Sequence, residues 1–141
     1  MRVLQLIETL RTGGAETSVL AIAAATPGVH TLVLPLRGPV ELLSDTAAVE
    51  VLRPLDPEGR LGAAGLIRAL QRRIDSLNVD VVHSTLFLAN VVARLALAHA
   101  EVPLVTTIVG DSYGPLRRRG LAPMRHLKLA LVQLADGVTL R

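Results

Sequence analysis

The stretch that decides the fold is Arg2-Val-Leu-Gln-Leu-Ile-Glu-Thr-Leu-Arg-Thr-Gly-Gly-Ala-Glu16. Its apolar run, from Val3 to Ile7, has the length and composition of a strand that is buried on both faces. Gly13 and Gly14 follow, and a helical pattern begins at Ala15. A strand that turns through glycines into a helix leaves the first N–H groups of that helix without partners, and such groups attract anions. The stretch predicts an α/β fold with a site for a phosphate group, although a plain turn explains the glycines equally well.

The rest of the chain continues this alternation. Strands are predicted at Arg2–Glu8, Val29–Leu34, Val49–Leu52, Val79–His83, Val102–Val109 and Val138–Leu140, and helices at Ala15–Ala25, Leu61–Leu77, Leu86–His99 and Leu121–Ala135. Pro35 to Asp45 is a predicted loop with room for one helical turn at Val40–Ser44. Strands that alternate with helices indicate a mostly parallel, Rossmann-like sheet with helices on both faces. Because the last predicted strand is followed by no helix, we expect the chain to be the front part of a longer protein.

Composition narrows the class of protein. The chain has 141 residues, of which 50% are hydrophobic, enough for one domain with a core. It contains no cysteine, which excludes disulfides and thiolate metal sites, and its four histidines are too dispersed to suggest a metal centre. The near absence of aromatic residues argues against nucleic-acid binding. We see no signal peptide and no apolar run of about 18 residues, so we expect a cytoplasmic protein.

Three candidate binding loops follow predicted strands. They contain Gly13 with Gly14, His83, and Asp111. Because ligands of open α/β sheets bind at the carboxyl ends of the strands, these residues should meet at one edge. Each has a plainer explanation: a turn for the glycines, a hydrogen-bonded rim residue for His83, and a turn cap for Asp111. Glu16 is well placed to interact with the helix dipole, and no complete dinucleotide or P-loop motif is present.

A cluster of basic residues follows the third of these loops. It comprises Arg117, Arg118 and Arg119, with Arg125 and Lys128 farther along. Such a cluster attracts an anionic membrane surface or a phosphorylated substrate, and it is equally typical of a solvated loop.

Three motifs, in this order, resemble the N-terminal domain of family-four glycosyltransferases, which have GT-B architecture. The motifs are Val3-Leu-Gln-Leu-Ile with Thr12-Gly-Gly-Ala-Glu16, Val79-Asp-Val-Val-His-Ser84 with Leu86-Phe-Leu-Ala-Asn90 and Arg94, and Val102-Pro-Leu-Val-Thr-Thr-Ile-Val-Gly-Asp111. The resemblance runs from Met1 to the end of the chain.

The resemblance implies two Rossmann-like domains that face a cleft. Residues 1–141 would be the N-terminal, acceptor-side domain, incomplete at its C-terminal end, and the donor-binding domain would be absent. The whole enzyme would transfer a sugar, with retention, from a nucleotide-sugar co-substrate to the hydroxyl of a sugar or lipid-linked acceptor. It would need no metal or other cofactor. The resemblance also implies cell-envelope or polysaccharide synthesis, and peripheral contact with the inner membrane face through Arg117–Arg119. Gly13 and Gly14 would approach the donor phosphates.

One departure from the family concerns the strand-five motif, where Val109 stands at a position that often holds histidine. No catalytic residue is therefore assigned, and the substrate-binding candidates are Gly13, Gly14, His83 and Asp111. Sugar transfer in such a cleft needs both the acceptor-side and the donor-binding domain, so we expect the chain alone to be inactive. Two alternatives remain: a non-catalytic module that binds a phosphorylated ligand or protein partner, and a sugar-nucleotide epimerase of the same architecture.

Overall fold

Strands and helices alternate along the part of the chain that the structure describes. The structure is a computed structural model, and it describes residues 1–109 together with residues 130, 133, 134 and 137. The elements are β1 (Arg2–Ile7), α1 (Gly14–Ala25), β2 (His30–Pro35), β3 (Val49–Val51), α2 (Ala63–Leu77), β4 (Val81–Thr85), α3 (Phe87–Ala96) and β5 (Leu104–Thr107). Among the described residues, no helix combines the length and apolar character that crossing a membrane requires.

The strands form a parallel sheet in the order β3-β2-β1-β4-β5. β1 is central, and its Gln5 is in register with Val33 of β2 on one side and with His83 of β4 on the other. This is the Rossmann-like α/β architecture that the alternation predicted, and the prediction is confirmed. Among the boundaries that differ from the prediction, β4 ends at Thr85 rather than at His83, and α3 ends at Ala96 rather than at His99.

Helices cover both faces of the sheet because successive side chains of a buried strand point to opposite faces. One face packs against α2 and α3 through a core that includes Leu4, Leu6, Leu32, Leu34, Leu66, Leu70, Val82 and Val92. The other face packs against α1 through Ile7, Leu10, Val19, Ala23, Val33 and Val49. The Leu and Val residues of β1 and β2 are therefore divided between two cores, which explains why these strands lack an alternating polar pattern.

The α1 face is covered unevenly. α1 buries Val19 and Ala23 against the half of the sheet that contains β2 and β3. On the same face, beyond α1, Val105 of β5 keeps 52% of its surface exposed, and Ile22 on the flank of α1 keeps 58%. The uncovered half of this face leaves a cavity between α1 and strands β4 and β5.

The loops after β2 and β3 are held by specific polar contacts. The Asp56 carboxylate accepts hydrogen bonds from the backbone N–H groups of Arg60 and Leu61, at 2.8 and 2.9 Å, and lies 3.8 Å from Arg37 Nε. The helical turn expected at Val40–Ser44 does not form. The N–H groups of residues 41 and 42 donate instead to the carbonyl of Leu10, which ties this loop to the segment after β1.

Candidate functional site

The carboxyl ends of β1, β4 and β5 lie side by side. The three strands are adjacent and parallel, and Ile7, Thr85 and Thr107 stand at the same level in the register. The segments that follow β1 and β4 therefore begin at one edge, as the sequence predicted. Asp111 lies outside the described residues, as do Arg117–Arg119, the helix predicted at Leu121–Ala135 (apart from residues 130, 133 and 134) and the strand predicted at Val138–Leu140.

The diglycine turn forms the start of α1. Gly13 is the N-cap residue with extended backbone angles, φ −160° and ψ 164°, and no side chain caps the helix. A Cβ atom at Gly13 would collide with the carboxylate of Glu16, whereas one at Gly14 would meet nothing within 4 Å. Because the carboxylate of Glu16 is the end of a flexible side chain and can move aside, neither space nor backbone conformation requires glycine at Gly13. The Glu16 carboxylate bends back over the first turn, where the helix dipole favours a negative charge.

A second carboxylate lies beside the same turn. Glu41 Oε2 accepts a hydrogen bond from the backbone N–H of Thr12 at 3.2 Å. A donor that could have served a phosphate is therefore already paired with an acid of the chain itself. Sequence reasoning missed Glu41 because no local pattern marks it, and its position depends on how the loop after β2 packs against Leu10.

His83 lies within β4, on the face that α1 partly covers. Its Nε2 atom is 2.7 Å from Thr107 Oγ1 on β5, and the two side chains share a hydrogen bond whose direction depends on the histidine tautomer. Burial lowers the pKa of His83 below its ordinary value of 6.5, because a partly desolvated imidazole disfavours the charged form. At neutral pH the side chain is a neutral imidazole that can donate or accept a hydrogen bond.

A buried network holds the end of β5 against α3. Ser84 Oγ donates to Asn90 Oδ1 at 2.8 Å, and Asn90 Nδ2 donates to the carbonyl oxygen of Thr107 at 3.0 Å. Ser84 and Asn90 are both buried. The network fixes the end of β5, the strand that precedes Asp111 in the chain.

Leu86, between β4 and α3, has a backbone conformation that is unusual for its side chain. Its φ is 78° and its ψ is 156°. Positive φ is rare for a bulky residue and costs on the order of 1–3 kcal/mol, and such strained positions concentrate at binding and catalytic sites. No local sequence signal marks this position, since leucine gives no hint of positive φ.

A cavity of about 350 Å³ lies below this edge, between α1 and strands β4 and β5. The described lining includes Gln5 of β1, Gly14 and Ser18 of α1, His83 and Thr85 of β4, and Thr107 of β5, together with apolar side chains. The structure thus brings together His83 and Gly14, two of the predicted site residues. Within the described residues, no group of three or more His, Cys, Asp or Glu side chains could hold a metal ion.

The parallel β3-β2-β1-β4-β5 order, with a glycine turn and polar strand ends at one edge, defines a Rossmann-like α/β domain, a class whose ligands bind at that edge. A family model described as a glycosyl transferase 4-like domain matches residues 1–140. The chain therefore belongs to the glycosyl transferase 4-like family, and the resemblance noted in the sequence is confirmed. The comparison with curated proteins found no match.

Proposed function

We propose that this domain forms the acceptor-side wall of a GT-B enzyme that transfers a sugar from a nucleotide-sugar donor to an acceptor hydroxyl group. The observation that supports the proposal is that β1, β4, β5 and the start of α1 all contribute side chains or backbone to one cavity at the carboxyl edge. Parallel α/β sheets bind their ligands at this edge. Membership of the glycosyl transferase 4-like family makes the ligand a sugar donor or acceptor.

The surroundings of His83 and Gly14 fit a role for each of these two residues. A neutral His83 would exchange a hydrogen bond with a sugar hydroxyl, since its ring is already oriented by Thr107. The donor diphosphate would approach Gly14, where the backbone is open, rather than Gly13, where the Glu16 carboxylate would repel it. Asp111 would accept a hydrogen bond from a hydroxyl of the acceptor.

The finer parts of the proposal come from the family resemblance. The reaction would proceed with retention and would need no cofactor besides the nucleotide sugar. The acceptor would be a sugar or a lipid-linked molecule of the cell envelope, with Arg117–Arg119 contacting the inner membrane face. Equal binding of the chain to neutral and anionic vesicles would refute the electrostatic part of this contact.

The test is a transfer assay with labelled sugars on uridine, guanosine and adenosine diphosphates. We expect the protein translated from the complete reading frame to transfer sugar, and the 141-residue chain alone to transfer none, because both walls of a cleft stabilise the transition state. His83→Ala should lower the rate in the complete protein, with His99→Ala as the matched control. The anomeric configuration of the product, read by NMR, tests retention.

Two results would overturn the proposal. Turnover by the isolated chain would show that one wall is enough. A reading frame that closes after Arg141, with no transfer or donor hydrolysis by its product, would favour the non-catalytic binding module instead.

A further inference from the structure

A groove lies beside α2, on the face of the sheet opposite to α1. It has a volume of about 340 Å³ and runs between the second half of α2 and the segment that follows β3. Arg53 lines this α2 groove from that segment, and Arg72 and Arg73 line it from the helix. None of its lining residues also lines the cavity beside α1, so the two are separate.

The helical repeat brings the two arginines of α2 to one side of the groove. Positions 69, 72, 73 and 76 follow the i, i+3, i+4, i+7 spacing that places side chains on one face of a helix. Ala69 and Ser76 are small and leave space at either end of the arginine pair. Pro54 and Leu55, from the segment after β3, line the groove from the other side. The result is a concave site whose charged lining residues are all positive.

No carboxylate in the described part of the chain pairs with these arginines. Glu50, Asp56 and Asp75 flank them in the sequence, but none of the three lines the groove or forms an ion pair with its arginines. Asp56 is held instead by Arg37 and by two backbone N–H groups. Because three like charges around one groove repel each other, an anion that enters the groove stabilises the folded domain.

The burial of Arg73 makes the missing counter-charge more important. Arg73 is partly buried, and its Nε atom is covered and has no hydrogen-bond partner among the described residues. A guanidinium group stays charged when it is partly removed from water, and its charge is then screened less than that of an exposed group. An anion needs no contact with Nε, because attraction between charges acts over several ångströms. Arg53 and Arg72 are exposed and can turn toward the anion.

We propose that the α2 groove is a binding site for the phosphate or diphosphate group of a soluble small molecule. The planar guanidinium group matches the geometry of phosphate oxygens and binds them through paired hydrogen bonds. A groove admits a small oxyanion, whereas the flat surface of a membrane does not enter it. Since the groove and the sugar-transfer edge share no residues, binding here does not rest on the proposed function.

The experiment titrates pyrophosphate into the ¹⁵N-labelled 141-residue chain at constant ionic strength and takes dissociation constants from amide shifts. We expect saturable shifts centred on residues 69–76 and 53–55, and none with sodium chloride at the same ionic strength. The absence of saturable shifts overturns the proposal, as do shifts confined to the start of α1, where the proposed function places a donor phosphate. Binding to phosphatidylglycerol vesicles that Arg73→Gln abolishes also overturns it, because the anion would then belong to a lipid surface.

Three variants separate anion binding from a structural role. Arg73→Gln and Arg53→Gln each remove one guanidinium group and should weaken pyrophosphate binding by roughly tenfold, the effect of losing a hydrogen bond to a charged group. Arg68→Gln is the matched control, because it removes the same charge from α2 but Arg68 does not line the groove. It should weaken binding less than about twofold, since exposed charges farther away are screened.

Urea unfolding supplies a readout that a merely structural role would not move. Without pyrophosphate, neither groove variant should lower the urea midpoint, because the charge that it removes has no partner among the described residues. Pyrophosphate should raise the midpoint of the unaltered chain and of Arg68→Gln more than that of Arg73→Gln. Equal losses of affinity in the control and the groove variants, or no loss in either groove variant, refute the site.

Discussion

Replacing Asn90 with alanine should destabilise the domain by about 2–4 kcal/mol, because it removes both hydrogen bonds of the buried network. Ser84 is fully buried, so its hydroxyl would be left unpaired at a cost of about 1–3 kcal/mol. The Thr107 carbonyl is only partly buried and can be reached by water, so losing its hydrogen bond from Asn90 adds about 1 kcal/mol. This loss is a large share of a total stability of about 5–15 kcal/mol.

Urea unfolding followed by far-ultraviolet circular dichroism measures the effect, since the chain has no tryptophan and only one tyrosine. Gln71→Ala is the matched control. Like that of Asn90, its side-chain amide donates to a backbone carbonyl, here that of Ala96 in α3 at 3.1 Å, but Gln71 is exposed. The control should therefore cost less than about 1 kcal/mol.

A double-mutant cycle tests the coupling within the network. Ser84→Ala alone leaves Asn90 Oδ1 unpaired and should cost about 1–3 kcal/mol. The double variant, which removes both partners, should cost less than the sum of the single variants by about 0.5–3 kcal/mol. Strict additivity, or an Asn90→Ala cost no larger than that of Gln71→Ala, would show that the network does not hold β5 in place.

Three further predictions concern pH and the loops. Burial lowers the pKa of His83 in the folded state, so below about pH 6.5 the unfolded chain binds more protons than the folded chain does. The contribution of neutral His83 to the free energy of unfolding is therefore fully present above that pH and is lost as the pH falls through it. His83→Gln should make the urea midpoint less dependent on pH between about pH 5 and 8. A pH dependence equal to that of the unaltered chain would contradict this. Gly38→Ala places a Cβ atom 2.7 Å from the carbonyl oxygen of Pro57 and should cost about 1–3 kcal/mol in urea unfolding. Gly14→Ala meets nothing within 4 Å and should be neutral or stabilising, so equal costs would refute the steric argument. Asp56→Ala unpairs two backbone N–H groups and should cost about 2–4 kcal/mol by the same measurement, whereas a loss below about 1 kcal/mol would show that water replaces the carboxylate.

Much of the fold could be predicted because strands and helices have different hydrophobic periods. α2 was predicted to within two residues of its observed start and to its observed end, since Leu66, Leu70 and Ile74 repeat at helical spacing and are buried. The end of β4 was harder to predict because Ser84 and Thr85 are polar. Ser84 tolerates burial only because Asn90, six residues later, accepts its hydrogen bond.

The candidate site could be predicted only in outline. The sequence predicted His83 and the glycine turn at strand ends; His83 instead lies two residues before the end of β4, and the parallel order of β1, β4 and β5 still brings both to one cavity. The contact of Glu41 with Thr12 joins residues 29 positions apart. Such a pairing leaves no trace in local pattern, because it depends on the path of an irregular loop.

The sequence by itself determined the class of the domain, because burial of alternating apolar segments leaves few arrangements other than a parallel sheet between helices. Its motifs indicated the family, and the family model confirms it. Only the tertiary structure decided which polar groups are satisfied. It placed the Glu16 carboxylate over Gly13, paired His83 with Thr107, and left Gln5 Oε1 and Thr85 Oγ1 buried without a hydrogen-bond partner among the described residues. Whether a buried polar group is satisfied depends on atoms from distant parts of the chain meeting within about 3 Å, and no local pattern specifies such a meeting.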